Sequence, residues 1–315
     1  MLDGFGRNID YLRVSITDRC NFRCLYCMPE EGVPKKDHND ILSFEQMESI
    51  IEVLAELGIK KIRVTGGEPL VRKGCIDFID KIGKINSIEQ VCLTTNGFYI
   101  NTHKQELKNI KLDLLNISLD SLDQNKFKTI TRIGDIKEVL QGIDVAKEIG
   151  IKNIKINAVL MKGINDNEIR DFAEFGKKKN VKVRFIEIMP FSVCNSFEKY
   201  GISADEIIKK YDLIRTPDKD YSNNVETYRF EDGLEVGFIR PISNKFCPAC
   251  NRIRLTAEGK LLLCLHGTAY IELKDKLGNK DAIKEAILEG IKNKPKEHGI
   301  DLGVIQNREM NSIGG

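Results

Sequence analysis

Cys20, Cys24 and Cys27 stand within eight residues, in the run Cys20-Asn21-Phe22-Arg23-Cys24-Leu25-Tyr26-Cys27. Thiolates are soft ligands that suit zinc or iron-sulfur clusters. A cubane cluster takes four ligands, so three thiolates leave one iron open for a non-protein ligand. A zinc knuckle is the alternative, but it wants a fourth Cys or His at short range. The nearest downstream histidine is His38. A second trio lies far along the chain, with Cys247 and Cys250 in Cys-x-x-Cys spacing and Cys264 after a thirteen-residue gap. His266 would complete a Cys3His zinc site there, so the spacing leaves zinc and iron-sulfur both open. Between those cysteines runs Asn251-Arg252-Ile253-Arg254-Leu255-Thr256. Arg252 and Arg254 alternate along a strand and share one face. Two guanidiniums on one face beside a metal suit a polyanion such as triphosphate, with a solvated basic edge as the alternative.

The scaffold that positions these groups has 315 residues, enough for one large domain or a large and a small one. Forty-nine basic against 47 acidic side chains give a net charge of +2. No global field therefore steers the chain to nucleic acid or membrane, and an anionic ligand must be met by local cations. No run of about 18 apolar residues and no signal-peptide pattern is present, so a cytoplasmic protein is expected. A reducing cytosol keeps thiols free for metal. Nine cysteines, six of them in two tight groups, argue against a disulfide framework. Cys75, Cys92 and Cys194 read as small buried apolar residues. His38, His103 and His298 carry no motif and read as surface residues.

Periodicity predicts strands over 11–17, 61–65, 91–95, 114–118, 154–159 and 183–188, separated by amphipathic helices. In the helix expected over 44–57, Phe44, Met47, Ile50, Ile51, Leu54 and Leu57 fall on one stripe. Six such units suit a curved, partly open barrel or a doubly wound sheet, which periodicity does not separate. In both, working residues gather at the C-terminal ends of strands. The unusual motifs fall there: the cysteine loop after the first strand, Gly66-Gly67-Glu68-Pro69 after the second, Thr95-Asn96-Gly97 after the third, Ser118-Leu119-Asp120 after the fourth and Met189-Pro190 after the sixth. Asn195-Ser196 and a polar stretch over 218–224 place a boundary near residue 200, giving units over 1–200 and 201–315.

The CxxxCxxC loop, with Tyr26 before its last cysteine and a Gly-Gly-Glu-Pro strand end, resembles the radical S-adenosylmethionine enzymes. The resemblance implies a partial (β/α)6 TIM-like barrel and a 4Fe-4S cluster on Cys20, Cys24 and Cys27. It also implies S-adenosylmethionine, chelated at the open iron and cleaved by one electron to methionine and a 5′-deoxyadenosyl radical. The segment from Cys247 to Cys264 and the tail Met310-Asn311-Ser312-Ile313-Gly314-Gly315 resemble the GTP 3′,8-cyclase family, which performs the first step of molybdenum cofactor biosynthesis. In that family the tail is thought to enter the active site. This resemblance implies a second 4Fe-4S cluster on Cys247, Cys250 and Cys264, carried by a small C-terminal α+β domain and open to the guanine edge. By the same resemblance Tyr26, Gly67, Ser118 and Met189 contact S-adenosylmethionine. Arg13, Arg63, Thr94, Lys155, Arg252 and Arg254 contact GTP, with Lys61 and Arg184 as further members of the phosphate cluster.

The implied reaction takes hydrogen from C3′ of the GTP ribose and joins that carbon to C8 of guanine. One electron and a proton then complete (8S)-3′,8-cyclo-7,8-dihydroguanosine 5′-triphosphate. Ferredoxin or flavodoxin as electron donor, cyclic pyranopterin monophosphate synthase downstream and a homodimer are the partners expected. Two rival readings are a peptide-modifying radical enzyme, which usually carries more C-terminal cysteines, and a zinc protein with two small metal modules.

Overall fold

Alternation along the strands decides the architecture. In β1 (Tyr11–Ser15), β2 (Lys61–Thr65) and β3 (Gln90–Thr95), then β4 (Leu114–Ser118), β5 (Ile154–Leu160) and β6 (Lys182–Glu187), one face is apolar. Leu12, Ile62, Leu93, Leu115, Ile156 and Phe185 on that face are fully buried. The other face carries Arg13, Arg63, Thr94, Asn116, Lys155 and Arg184. A parallel sheet covered by helices on both faces reads as continuous apolar runs. This sheet is apolar on one face alone, and the helices pack into the same core as Leu12 and Phe185. The polar face lines a lumen, which selects the partial barrel over the doubly wound sheet.

The computed structural model describes all residues except 35, 192–194, 218–223, 301–309 and 315. The expectation for Cys194, most of the polar stretch invoked at the boundary and Gly315 therefore lie outside the described residues, as does the His38 side chain. The six expected strands form, with ends moved by up to two residues. Later strands are β7 (Ile214–Arg215), β8 (Glu226–Arg229), β9 (Glu235–Ile239), β10 (Arg252–Leu255), β11 (Lys260–Leu262) and β12 (Tyr270–Glu272). All join one twelve-stranded sheet in the order β12-β11-β10-β1-β2-β3-β4-β5-β6-β9-β8-β7. β10 runs parallel to β1 and β9 parallel to β6, and each continues outward into antiparallel strands. The segment past residue 200 thus lengthens the barrel sheet at both edges. Buried Glu187 ties it on, accepting from the N–H groups of Ala204, Ile242 and Ser243 at 2.8–2.9 Å.

The first helix, α1 (Phe44–Glu56), shows how the outer layer forms. Ser43 caps it, with Gln46 closing a capping box. Met47, Ile50, Ile51 and Leu54 are fully buried, each worth roughly 1.5–3 kcal/mol. Phe44 and Leu57, at the stripe's ends, are only partly buried. Among the described residues no helix is long and apolar enough to cross a membrane.

Candidate active site

The loop after β1 is held by backbone approaches that only glycine permits. A Cβ on Gly67 would lie 2.4 Å from the Arg19 carbonyl oxygen, and one on Gly66 would lie 2.6 Å from that of Thr17. Without side chains there, the β1–β2 pairing continues past the strands: Gly67 N–H donates to Thr17 O at 2.6 Å and Glu68 N–H to Arg19 O at 2.8 Å. The completely buried Glu68 carboxylate accepts from Leu70 N–H, the Thr95 hydroxyl and Asn96 N–H, at 3.0, 2.7 and 2.6 Å. Asn96 in turn donates to Asn21 Oδ1 at 2.7 Å and lies 3.9 Å from Cys20 Sγ. Tyr26 donates to Asp120 at 2.8 Å, and Asp120 accepts Val159 N–H at 2.8 Å. Phe22 anchors the loop edge-on against Phe98 and Phe127. The ends of β2, β3, β4 and β5 therefore converge on the first thiol trio.

The surroundings hold Cys20 and Cys24 as neutral thiols in the absence of a bound cation. Burial, with Glu68 nearby, pushes Cys20 up to about 12. Cys24 is pushed well up by burial, then by Asp120, Cys27 and Cys20. Burial also raises Asp120 to about 6, against the hydrogen bonds of Val159 and Tyr26.

Below this loop the lumen face is a block of cations. Register sets Arg254, Arg13 and Arg63 side by side on three adjacent strands, with Arg252, Tyr11 and Lys61 as the next row. Arg63 donates to the Tyr11 hydroxyl at 2.5 Å and to Thr94 at 3.2 Å. Lys61 lies 5.1 Å and Arg252 5.6 Å from the centre of the Tyr11 ring. Thr94, Asn116 and Lys155 form a further row. Arg184 donates to Asn157 and Asn116, deeper around the sheet. Burial lowers Arg13 well below the usual guanidinium range, with Arg254, Arg63 and Arg252 adding to the effect. Burial and Arg252 lower Arg254 to about 10. Burial would raise Tyr11, but Arg63, Arg13 and Arg252 bring it down to about 8. Crowded, buried cations of this kind are relieved by an anion.

The second trio sits at the other end of the same strands. Cys250 precedes β10, whose Arg252 pairs with Tyr11 at the start of β1, and Cys264 follows β11, antiparallel to β10. The cations lie between the two trios, along strands whose four rises from Tyr11 to Ser15 span roughly 13 Å. Burial raises Cys247 despite a hydrogen bond from His298 N–H, and Cys264 and Cys250 add to the rise. Cys250 falls below its ordinary value, because Lys294, Arg252 and Arg7 outweigh burial. Among the described residues no group of three or more His, Cys, Asp and Glu is gathered as a metal ion would hold it. His266 is 1% exposed, and burial with His298 and Arg254 lowers it to about 4. The tail lies toward the first-trio end of β1: Asn311 donates to Asp18 O at 2.7 Å, a Cβ on Gly314 would lie 3.2 Å from that of Ser15, Arg254 donates to Gly314 O at 2.7 Å, and Ile313 packs with Phe191 and Leu262. Met189 joins that small core, while Ser118 ends β4 opposite Asn157.

Similarity to known proteins agrees with this layout. Residues 14–176 match the radical SAM superfamily model, and 181–300 match the Molybdenum Cofactor Synthesis C model. A curated GTP 3′,8-cyclase from Peptoclostridium acidaminophilum is 46% identical over 320 residues, covering 100% of this chain and 98% of that protein. A GTP 3′,8-cyclase from Clostridium botulinum strain Hall is 48% identical over 300 residues, covering 95% of this chain and 94% of that protein. The chain belongs to the GTP 3′,8-cyclase family. Among solved structures, Streptococcus suis SuiB has the same fold, with a TM-score of 0.65 at 15% identity over 91% of this chain and 68% of that one.

Within this cyclase, sequence reasoning overlooked several groups. His298 is not a surface residue: it is 8% exposed, its Nε2 is 3.0 Å from Pro241 O and its N–H meets Cys247. Glu68 and Asn96 stand in the strand-end motifs Gly66–Pro69 and Thr95–Gly97, which marked them without giving either a role of its own. Tyr11 was not singled out, although it is a polar ring at the start of the same alternation that brings Arg13 into the lumen. Cys75 and Cys92 are buried, as their composition suggested.

Proposed function

We propose that this chain converts GTP to its 3′,8-cyclised dihydro form, the opening step of molybdenum cofactor biosynthesis, in the lumen between the two thiol trios. The observation that carries the reading is the row Arg254–Arg13–Arg63 on the lumen face, with Arg254 and Arg63 buried, Arg13 half-buried between them and a thiol trio beyond each end. It favours a ligand that is both a polyanion and long enough to reach both trios, as a nucleoside triphosphate is. Cys20, Cys24 and Cys27 would hold one 4Fe-4S cluster, and Cys247, Cys250 and Cys264 a second. Each donor set fits, being three thiols of the soft kind that iron-sulfur clusters take. A cluster held by Cys20, Cys24 and Cys27 would supply the one-electron chemistry that cleaves S-adenosylmethionine.

The protein's own work is binding, orientation and exclusion of water. Arg13, Arg63, Arg252, Arg254, Thr94 and Lys155 would fix the triphosphate, with Lys61 and Arg184 beside them and the Tyr11 hydroxyl held ready by Arg63. Tyr26, Gly67, Ser118 and Met189 would line the S-adenosylmethionine site. Holding C3′ within about 3.5 Å of the abstracting centre selects the hydrogen that is taken. The tail, whose Gly314 carbonyl accepts from Arg254, would help keep bulk groups from the reactive carbon. A barrel unit over 1–200 and a C-terminal unit over 201–315 would divide these tasks between the two trios. Ferredoxin or flavodoxin as donor, transfer of product to cyclic pyranopterin monophosphate synthase and a homodimer complete the proposal. The test is metal content after anaerobic reconstitution, then incubation with dithionite, S-adenosylmethionine and GTP. About eight irons and consumption of GTP support the reading; about four irons, one zinc and deoxyadenosine released without loss of GTP refute it.

A further inference from the structure

Lys294 has no part in the roles above, yet it is one of the most deeply buried cations of the chain, at 2% exposure. A buried ammonium is costly unless hydrogen bonds and opposite charge compensate it. Two of its hydrogen bonds go to the carbonyls of Arg252 at 2.9 Å and Leu263 at 2.5 Å. Those carbonyls lie two residues after Cys250 and one before Cys264, so a single ammonium ties together the segments that bear two of the three thiols. Carbonyl oxygens are dipoles and do not neutralise it. The opposing charge comes from the thiols and from Asp3: burial lowers Lys294, Cys250 and Cys264 pull it back up, Arg7 lowers it and Asp3 raises it by a smaller amount.

The surrounding segment is built to keep Lys294 in place. Arg7, held by Asp3 at 2.6 Å, donates to the carbonyls of Cys247, Pro295 and Lys296 at 2.9, 2.6 and 2.8 Å. His298, four residues beyond Lys294, donates its N–H to Cys247. Lys294 therefore rides on a belt fastened to the trio at both ends.

We infer that Lys294 is a positioning and charge-compensating residue of the second trio, whose fixed ammonium stabilises an anionic iron-sulfur cluster there and raises its reduction potential. The inference rests on the proposal of a second cluster. Reduction adds negative charge to a cluster, so a nearby buried cation favours the reduced form, and net charge is a main determinant of such potentials.

The experiment uses full-length protein in which Cys20, Cys24 and Cys27 are replaced by Ser, so that only the second trio binds iron. Iron is counted, and an EPR-monitored redox titration is run on this parent, on Lys294→Gln and on Lys294→Arg. About four irons in the parent uphold the second cluster; a parent without iron overturns both the cluster and the role of Lys294. With the cluster present, Lys294→Gln is expected to titrate at a more negative potential, while Lys294→Arg stays near the parent. An unchanged potential in Lys294→Gln, or an equal displacement in Lys294→Arg, overturns the inference. If Lys294→Gln fails to assemble the cluster, assembly in Lys294→Arg upholds the need for charge, and failure in both refutes it.

Discussion

Replacing Arg254 by Ala should release the C-terminal tail without unfolding the sheet. Arg254 is 7% exposed and donates to Gly314 O at 2.7 Å, with a longer contact of 3.5 Å to Ile313 O. A hydrogen bond from a charged donor contributes about 1.5–3 kcal/mol. At 1.4 kcal/mol per tenfold, its loss shifts the docked tail toward release by about 10- to 100-fold. Asn311, bonded to Asp18 O, and buried Ile313 remain as anchors, so release is partial. The substitution also removes one of the like charges that crowd Arg13, so β10 itself should lose little. Hydrogen exchange is the assay. Ile313 N–H, bonded to Met310 O, should lose protection about 10- to 100-fold while the β10 amides exchange as before. Protection of Ile313 equal to the parent's would refute the clasp, and uniform loss across the sheet would show a folding defect instead.

Three other outcomes follow from the same geometry. Cys24→Ser should abolish cleavage of S-adenosylmethionine, read as deoxyadenosine release, and retained cleavage would remove the first trio from the reaction. Arg252→Ala combined with Arg254→Ala should reduce GTP turnover far more than cleavage of S-adenosylmethionine without GTP; equal losses would show that the pair does not serve the nucleotide. Tyr11→Phe should alter the pH dependence of stability. The Tyr11 phenol falls from 10.0 to about 8 in the folded chain, so its ionised form is favoured there. The resulting contribution, about 3 kcal/mol at 1.36 kcal/mol per unit, is fully present above pH 10 and lost as pH falls through 8. Urea unfolding should show the parent gaining on Tyr11→Phe between pH 8 and 10, and parallel curves would contradict the cation row around Tyr11.

The six barrel strands and both thiol trios were legible because each depends on short-range pattern: a two-residue period, a Cys-x-x-Cys spacing, a glycine pair at a strand end. The position of the second trio was not. It depends on β10 pairing with β1 across some 240 residues of chain, and this pairing sets Arg252 beside Tyr11 and Arg254 beside Arg13. A long-range contact also explains why His298 read as a surface residue: its N–H meets Cys247 and its segment is held by Arg7, neither of them a neighbour in sequence. Glu68 was visible as part of a turn motif, but its partners Thr95 and Asn96 lie at and just past the end of the next strand. Local pattern thus marks which residues have the chemistry, and strand register decides what they face.

The most direct measurement supplies GTP carrying deuterium at C3′ to the anaerobically reconstituted protein with S-adenosylmethionine and dithionite. The 5′-deoxyadenosine is then weighed by mass spectrometry. Hydrogen abstraction at C3′ predicts deoxyadenosine one mass unit heavier, together with a nucleotide that separates from GTP on chromatography. Unlabelled deoxyadenosine with GTP recovered intact would contradict the assignment of GTP to this lumen.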